Sequence, residues 1–236
     1  MRFFLARVIP LLLLPSPLCA EGLSALVSGT SNYFYRGYSK SGNSPTVRAN
    51  IDYTHSSGVF GGLWVSRVDF QDKADADPSG VEFYPYVGYS HKLSAQWRLE
   101  GSVARYIYAG KIFGKDSDYN EYTVSAHYSD LLTARVDVAD DAYNRGDTTV
   151  NYEISGRYPL GDRLSISAGL GLNQSQSALE YNWLYWNAGI SWFFKYGALD
   201  LRYVDATEVT SLEEEPDGLE FPTLKNRFVV SLTIGI

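Results

Sequence analysis

Seven arginines and eight carboxylates recur at alternating positions along the chain. They are Arg48, Arg67, Arg98, Arg135, Arg157, Arg202 and Arg227 against Asp52, Asp69, Glu82, Glu100, Glu121, Asp137, Glu153 and Asp200. Residues two apart share one edge of an extended strand, so Arg98 and Glu100, Arg135 and Asp137, and Asp200 and Arg202 stand side by side. Charges arranged in this way can do two things. They can pair across strands and fill an interior, satisfying one another away from bulk water. They can also line a water-filled path and filter solutes by charge. The sequence leaves both readings open, and the lining is nearly neutral in either.

Catalytic constellations are scarce. His127 and Ser129 fall on the same edge of one segment, which is the pairing a lipid hydrolase would need. That edge projects inward, away from lipid, and the chain has no Gly-x-Ser-x-Gly elbow. His55, His91 and His127 are dispersed and show no metal-ligand spacing. The one cysteine, Cys19, lies in the expected leader, so the mature chain would carry no thiol nucleophile, disulfide or Cys-based metal site. No enzymatic activity, cofactor or metal is expected. Acidic clusters at Asp72, Asp75 and Asp77, at Asp140, Asp141 and Asp147, and from Glu208 through Glu213, Glu214, Glu215 and Asp217 to Glu220 lack EF-hand spacing. They read as solvated loops, with divalent-cation binding beside lipopolysaccharide phosphates as the functional alternative.

The elements that must position these charges are strands. Val47, Ala49, Ile51 and Tyr53 alternate with Arg48, Asn50, Asp52 and Thr54, and the same period of two returns along the whole chain. Twelve segments follow it, near 24–35, 46–55, 59–70, 81–91, 96–108, 119–128, 132–140, 148–158, 163–173, 182–194, 197–205 and 224–236. The joins alternate in length. His55 to Gly58, Lys92 to Ala95, Ser129 to Leu131, Pro159 to Asp162 and Lys195-Tyr196 are short. Arg36 to Pro45, Gln71 to Gly80, Ala109 to Asp118, Asp141 to Asp147, Gln174 to Tyr181 and Ala206 to Thr223 are longer. Short turns at one end and long loops at the other are what an outer-membrane β-barrel shows. A secreted sandwich or soluble barrel, burying its apolar edge in a core, is the alternative.

The first twenty residues set the compartment. Arg2 and Arg7 precede the apolar run Val8 to Leu14, and Leu18-Cys19-Ala20 precedes Glu21. This is the order of a secretory signal peptide, residues 1–20, cleaved after Ala20, with residues 21–236 forming the barrel. The run is too short to span a bilayer, and Leu18 is too bulky for lipidation of Cys19. The formal net charge of -7 argues against a nucleic-acid partner.

Further features bear on the membrane reading. Aromatics gather near strand ends, at Tyr33, Phe34 and Tyr35, at Tyr84 and Tyr86, at Tyr106 and Tyr108, at Trp183, Tyr185 and Trp186, and at Trp192, Phe193 and Phe194. Rings at the lipid–water boundary would form two girdles. The last strand carries Phe228, Val230, Leu232, Ile234 and Ile236 on one edge, although barrel-assembly signals usually end in Phe. A lipid-facing belt is expected to include Val47, Ile51, Val87, Leu99, Val136, Ile154, Ile166, Leu170, Ile190, Leu201 and Leu232. Gly169, Gly171 and Gly189 fall on inward edges, where they would either leave room for a path or solute, or relieve sheet curvature.

Residues Thr30-Ser31-Asn32-Tyr33-Phe34-Tyr35-Arg36-Gly37-Tyr38-Ser39, then Asp52-Tyr53, Gly61-Gly62-Leu63-Trp64-Val65-Ser66, Val68-Asp69-Phe70 and Glu82-Phe83-Tyr84-Pro85-Tyr86-Val87-Gly88-Tyr89 form a connected pattern. It resembles the Gcw_chp family of Gram-negative proteins, also called TorF-type porins. The specific part covers roughly the first third of the mature chain. The resemblance implies an outer-membrane barrel, whereas porin activity is a label by analogy. The expected function is a porin or narrow channel for small solutes, with a plugged structural or surface-interaction barrel as the alternative and a lipid hydrolase behind both. Expected partners are outer-membrane lipids and lipopolysaccharide, and the barrel-assembly machinery. The sequence sets no oligomeric state.

Overall fold

The computed structural model describes residues 21–70, 78–112, 114–179, 181–211 and 227–235. The expected signal peptide with Cys19, the acidic residues Asp72, Asp75, Asp77, Glu213, Glu214, Glu215, Asp217 and Glu220, and Ile236 lie outside them. Fourteen strands run in order: β1 (Gly22–Thr30), β2 (Phe34–Tyr35), β3 (Tyr38–Ser39), β4 (Thr46–Thr54), β5 (Val59–Arg67), β6 (Val81–Lys92), β7 (Trp97–Ala109), β8 (Tyr119–Tyr128), β9 (Leu132–Ala139), β10 (Thr149–Pro159), β11 (Leu164–Gln174), β12 (Tyr181–Phe194), β13 (Gly197–Ser211) and β14 (Arg227–Gly235). Twelve of them close into one barrel, β1 pairing with both β4 and β14, while β2 and β3 form a separate hairpin. All barrel pairings are antiparallel. Among the described residues, no helix is long and apolar enough to cross a membrane.

The period-two pattern sets the register, because a slip of one residue would exchange the two faces. Ile166 stands opposite Ile190, Ile190 opposite Leu201 and Leu201 opposite Val230. All eleven aliphatics of the expected belt are exposed on the outer face, from Val136 at 37% to Val47 at 58%. So broad an apolar surface exceeds what a water-soluble monomer presents. Each such side chain contributes about 1.5–3 kcal/mol once lipid replaces water. On the other face of the same register lie Ser191, Asp200 and Ser231, and Ser167, Gly189 and Arg202.

The twelve-strand count and the short-long alternation match the sequence expectation, with two informative differences. β13 runs six residues further than expected, to Ser211. β1 ends at Thr30 rather than near residue 35, and the chain turns into the barrel at the long-loop end. There Phe34–Tyr35 and Tyr38–Ser39 pair across a two-residue turn with Arg36 at φ 44° and Gly37 at φ 95°. Two positive φ values in succession are what a tight hairpin matching β twist needs. Gly37 has a second constraint, because a Cβ there would lie 2.9 Å from the Trp183 ring and from Tyr185 Cβ.

The aromatic girdles are real, and Trp186 and Trp192 belong to them as expected, but most of their rings come from other residues. Tyr33, Tyr35, Tyr106, Tyr108, Trp183 and Tyr185 are buried inside the barrel. Tyr106, Tyr108, Trp183 and Tyr185 stand on the inward edges with Glu82 and Glu121, not with the lipid belt, and together with Tyr33 and Tyr35 of the inward-folded segment they make an internal aromatic core at the long-loop end. The outward rings are Tyr53, Tyr89, Trp97, Tyr128, Tyr158, Trp192 and Tyr196 toward the short turns, and Phe83, Tyr122, Tyr152, Trp186 and Phe228 toward the long loops.

Candidate functional site

The inward edges divide the lumen into two halves. Toward the short turns they carry serines and threonines together with charged groups and a few apolar side chains such as Leu26 and Phe60. Ser24 is exposed, and Ser28, Ser90, Ser102, Thr133, Ser165 and Ser167 are half-buried, so solvent reaches part of that end, while Leu26, Arg98, Ser125, His127, Ser155 and Ser191 are buried there. Toward the long loops the lumen is filled by tyrosines and by the inward-folded residues 31–45.

The hairpin tip carries the central charge cluster. Arg36 Nη1 lies 2.6 Å from Glu121 Oε2 on β8, and Nη2 lies 2.8 Å from Asp137 Oδ2 on β9. The Trp183 indole N–H donates to the Arg36 carbonyl. Burial works to lower the pKa of Arg36, but Asp137 and Glu121 outweigh it and hold the guanidinium charged, well above its ordinary value. Asp137 also accepts from the Thr123 hydroxyl at 2.7 Å and from Asn151 Nδ2 at 3.0 Å. Arg135 Nε stands 3.0 Å from Asp137, and Arg135 Nη2 stands 3.7 Å from Glu153. Lys40, with no exposed surface, lies 2.5 Å from Glu82 Oε2 on β6.

The remaining charges form smaller groups on the wall. Arg48 stacks on Tyr33 and Trp64, with its Cζ 4.0 and 4.8 Å from the ring centroids, and donates from Nε to Ser66 Oγ at 3.0 Å. Arg202 contacts Asp200 at 3.2 Å, Asn187 Oδ1 at 2.5 Å and Ser167 Oγ at 2.8 Å. Near the short turns, Arg98 pairs with Glu100 and reaches Asp130 at 3.4 Å, while Arg157 Nε donates to the Asp130 carbonyl at 2.9 Å. Asp52 is half-buried and accepts from Asn50.

Three of the charges read inward from the sequence stand elsewhere. Arg67 and Asp69 are exposed on the edge shared with Val59, Leu63 and Val65, while Val68 and Phe70 take the inward side. β5 stands one residue off the expected parity, because its inward edge, Phe60, Gly62, Trp64 and Ser66, is itself largely aromatic and small. Arg227 keeps the inward parity of β14 but is exposed at the rim, where that strand begins. His127 is buried, with Nδ1 2.9 Å from Thr133 Oγ1 and Nε2 3.1 Å from Glu100 Oε2. β8 ends at Tyr128, so Ser129 sits in a turn at φ 49° rather than on the edge of His127.

The glycines leave no open path. A Cβ at Gly171 would come 2.2 Å from the Tyr185 ring, one at Gly169 2.9 Å from Asn187 Nδ2 and one at Gly189 3.0 Å from the Leu201 carbonyl oxygen and 3.1 Å from Arg202 Cζ. Their space is taken by those three side chains. Tyr185 Oη lies within hydrogen-bond distance of Glu153 Oε2, 2.8 Å, and Asn151 Oδ1, 2.9 Å.

Arg36 and Lys40 are central to this arrangement and are absent from the set read from the sequence. Residues 31–35 continue the alternation of β1 and conceal the inward turn. The available signal is turn chemistry: Arg36-Gly37 and Gly42-Asn43 fall within residues 31–45, a stretch with three tyrosines and a phenylalanine that is too apolar for a solvated loop.

A closed twelve-stranded antiparallel barrel, an apolar outer belt with two aromatic girdles and a polar, charge-paired interior define the class: a porin-like outer-membrane β-barrel. Within that class the chain belongs to the Gcw_chp family, described as bacterial protein of unknown function, whose pattern matches residues 16–233. No curated protein sequence matches it significantly. Among solved structures it is similar in fold to the KdgM porin, with a TM-score of 0.54, 10% identity, and coverage of 90% of this chain and 98% of that one. The NanC porin gives a TM-score of 0.52, 11% identity, and coverage of 90% and 97%.

Proposed function

We propose that this barrel is a narrow channel for small polar solutes, with its outer mouth constricted by the inward hairpin β2–β3. The observation that supports it is the two-part lumen. A solvent-reached half lined by hydroxyls and paired charges ends at a plug in which the short hairpin packs against tyrosines of the barrel wall. The likeness to porins named KdgM and NanC accords with this reading through the fold alone. Selection would fall to the lumen charges, including Arg48, Glu121, Arg135, Asp137, Glu153 and Arg202. Passage through such a channel involves no chemical step. We propose in addition that the chain is exported with removal of residues 1–20 and contacts lipopolysaccharide and the barrel-assembly machinery. Mass spectrometry of the protein from membranes should then give a mature chain beginning at Glu21.

Planar-bilayer recording tests the channel. The wild type should give small conductance steps. Gly37→Val cannot adopt the positive φ and would collide with Trp183, so it should displace the hairpin and raise the conductance severalfold. Silence from both proteins, when each shows the heat-modifiable gel mobility of a folded barrel, would overturn the channel and leave a structural barrel.

A further inference from the structure

Lys40 is a wholly buried lysine surrounded by rings. Its ammonium nitrogen lies 4.0 Å from the centroid of Tyr35 and 4.3 Å from that of Tyr106, with Tyr108, Tyr33 and Tyr143 at 5.6, 5.8 and 5.9 Å. It donates to Glu82 at 2.5 Å and to the Tyr108 hydroxyl at 3.0 Å. Several aromatic faces closing on one ammonium is the arrangement by which proteins recognise organic cations. A plug serving only to fill space would gain more from apolar side chains in place of both Lys40 and Glu82, because ion pairs withdrawn from water rarely outperform good packing.

The cage has two owners. Lys40, Tyr33 and Tyr35 belong to the inward segment. Glu82 on β6, Tyr106 and Tyr108 on β7, and Tyr143 in the connection between β9 and β10 belong to the barrel. The second cation of the segment, Arg36, is likewise held by barrel carboxylates, Glu121 and Asp137. Removing the segment would therefore leave Glu82, Glu121 and Asp137 facing Arg48 and Arg135, a wall of net negative charge lined with tyrosine faces.

We propose that this wall is a binding site for small organic ammonium solutes and that Lys40 is its tethered occupant. A solute bearing an ammonium group competes for Glu82 and the Tyr106–Tyr108 faces, and its binding releases the hairpin. The proposal rests on the channel reading for its role but not for its test.

The test is rescue of a vacated cage. Lys40→Ala, and the milder Lys40→Met, are folded in detergent and melted by heat-modifiable mobility in n-butylammonium chloride or in sodium chloride at equal ionic strength. Both variants should melt below the wild type, and butylammonium should raise the melting temperature of Lys40→Ala by several degrees in a saturable way. The double variant Lys40→Ala with Glu82→Gln should lose most of that rise. A rise no larger than with sodium, or one unchanged by Glu82→Gln, would overturn the site. Conductance is recorded separately: rescue with silent bilayers removes the channel and keeps the ammonium site, and conductance without rescue does the reverse.

Discussion

Gly171 and Tyr185 show how a missing side chain becomes part of a barrel wall. The two residues are directly opposed on β11 and β12, and the Tyr185 ring lies over the bare glycine backbone with its hydroxyl against Glu153. Gly171→Val should push the ring away, break its contacts with Glu153 and Asn151, and destabilise the barrel by about 1–3 kcal/mol through overpacking. A melt in detergent checks this, and an unchanged midpoint would show that the ring has a second resting place. Arg135 has a different role. Its side chain keeps 23% exposure and faces both Asp137 and Glu153. Arg135→Ala leaves excess negative charge beside the solvent-reached half of the lumen, so any ion preference should move toward cations. The accompanying loss should stay below about 3 kcal/mol, the lower range for breaking a buried pair, because the site is partly wet. A reversal potential under a salt gradient reads the first effect. An unchanged value would place selection elsewhere, for instance at the rim with Arg227.

At the scale of elements, turn chemistry decides where strands stop. Ser129 and Asp130 both take positive φ, 49° and 55°, and Leu131 N–H closes the turn on the Tyr128 carbonyl at 2.9 Å. Neither residue is glycine, and each left-handed residue costs roughly 1–2 kcal/mol. Asp130 has a reason to stay, its contact with Arg98. Ser129→Gly should relieve the strain at that position and raise the melting midpoint, by less than about 1 kcal/mol because glycine also loses more chain entropy. A lower midpoint would show that the serine hydroxyl carries an interaction worth more than the strain. The same chemistry at Arg36-Gly37 has a larger consequence. It folds residues 31–45 back into the barrel, and Thr30 becomes the last residue of β1 although the alternation runs on past it.

At the scale of the whole molecule, the outer face sets the solvent. The paired aliphatics Ile154, Leu170, Ile166 and Ile190 form part of a continuous apolar surface closed by the pairing of β1 with β14. Leu170, exposed at 46% in the middle of β11, points into that surface. Leu170→Arg should cost about 2–4 kcal/mol of barrel stability in lipid, the range for a cation near the bilayer midplane. The penalty should shrink in detergent micelles, which deform around the charge. An equal loss in both media would mean that Leu170 packs against protein rather than lipid.

The sequence by itself determined the twelve barrel strands, the alternation of short and long joins and the lipid-facing belt. Each of these follows from local periodicity, and period two admits one register once a face is apolar. The pairs Arg98 with Glu100, Arg135 with Asp137 and Asp200 with Arg202 were legible for the same reason, being neighbours on one edge. The filling of the lumen was decided by tertiary structure alone. Whether Tyr106 or Tyr84 meets lipid or the interior depends on the parity of its strand, which composition does not reveal when both edges carry rings. Arg36 meets Glu121 and Asp137, and Lys40 meets Glu82, across separations of 42 residues or more. Such contacts exist only because a closed barrel brings strands β6, β8 and β9 around the tip of one hairpin.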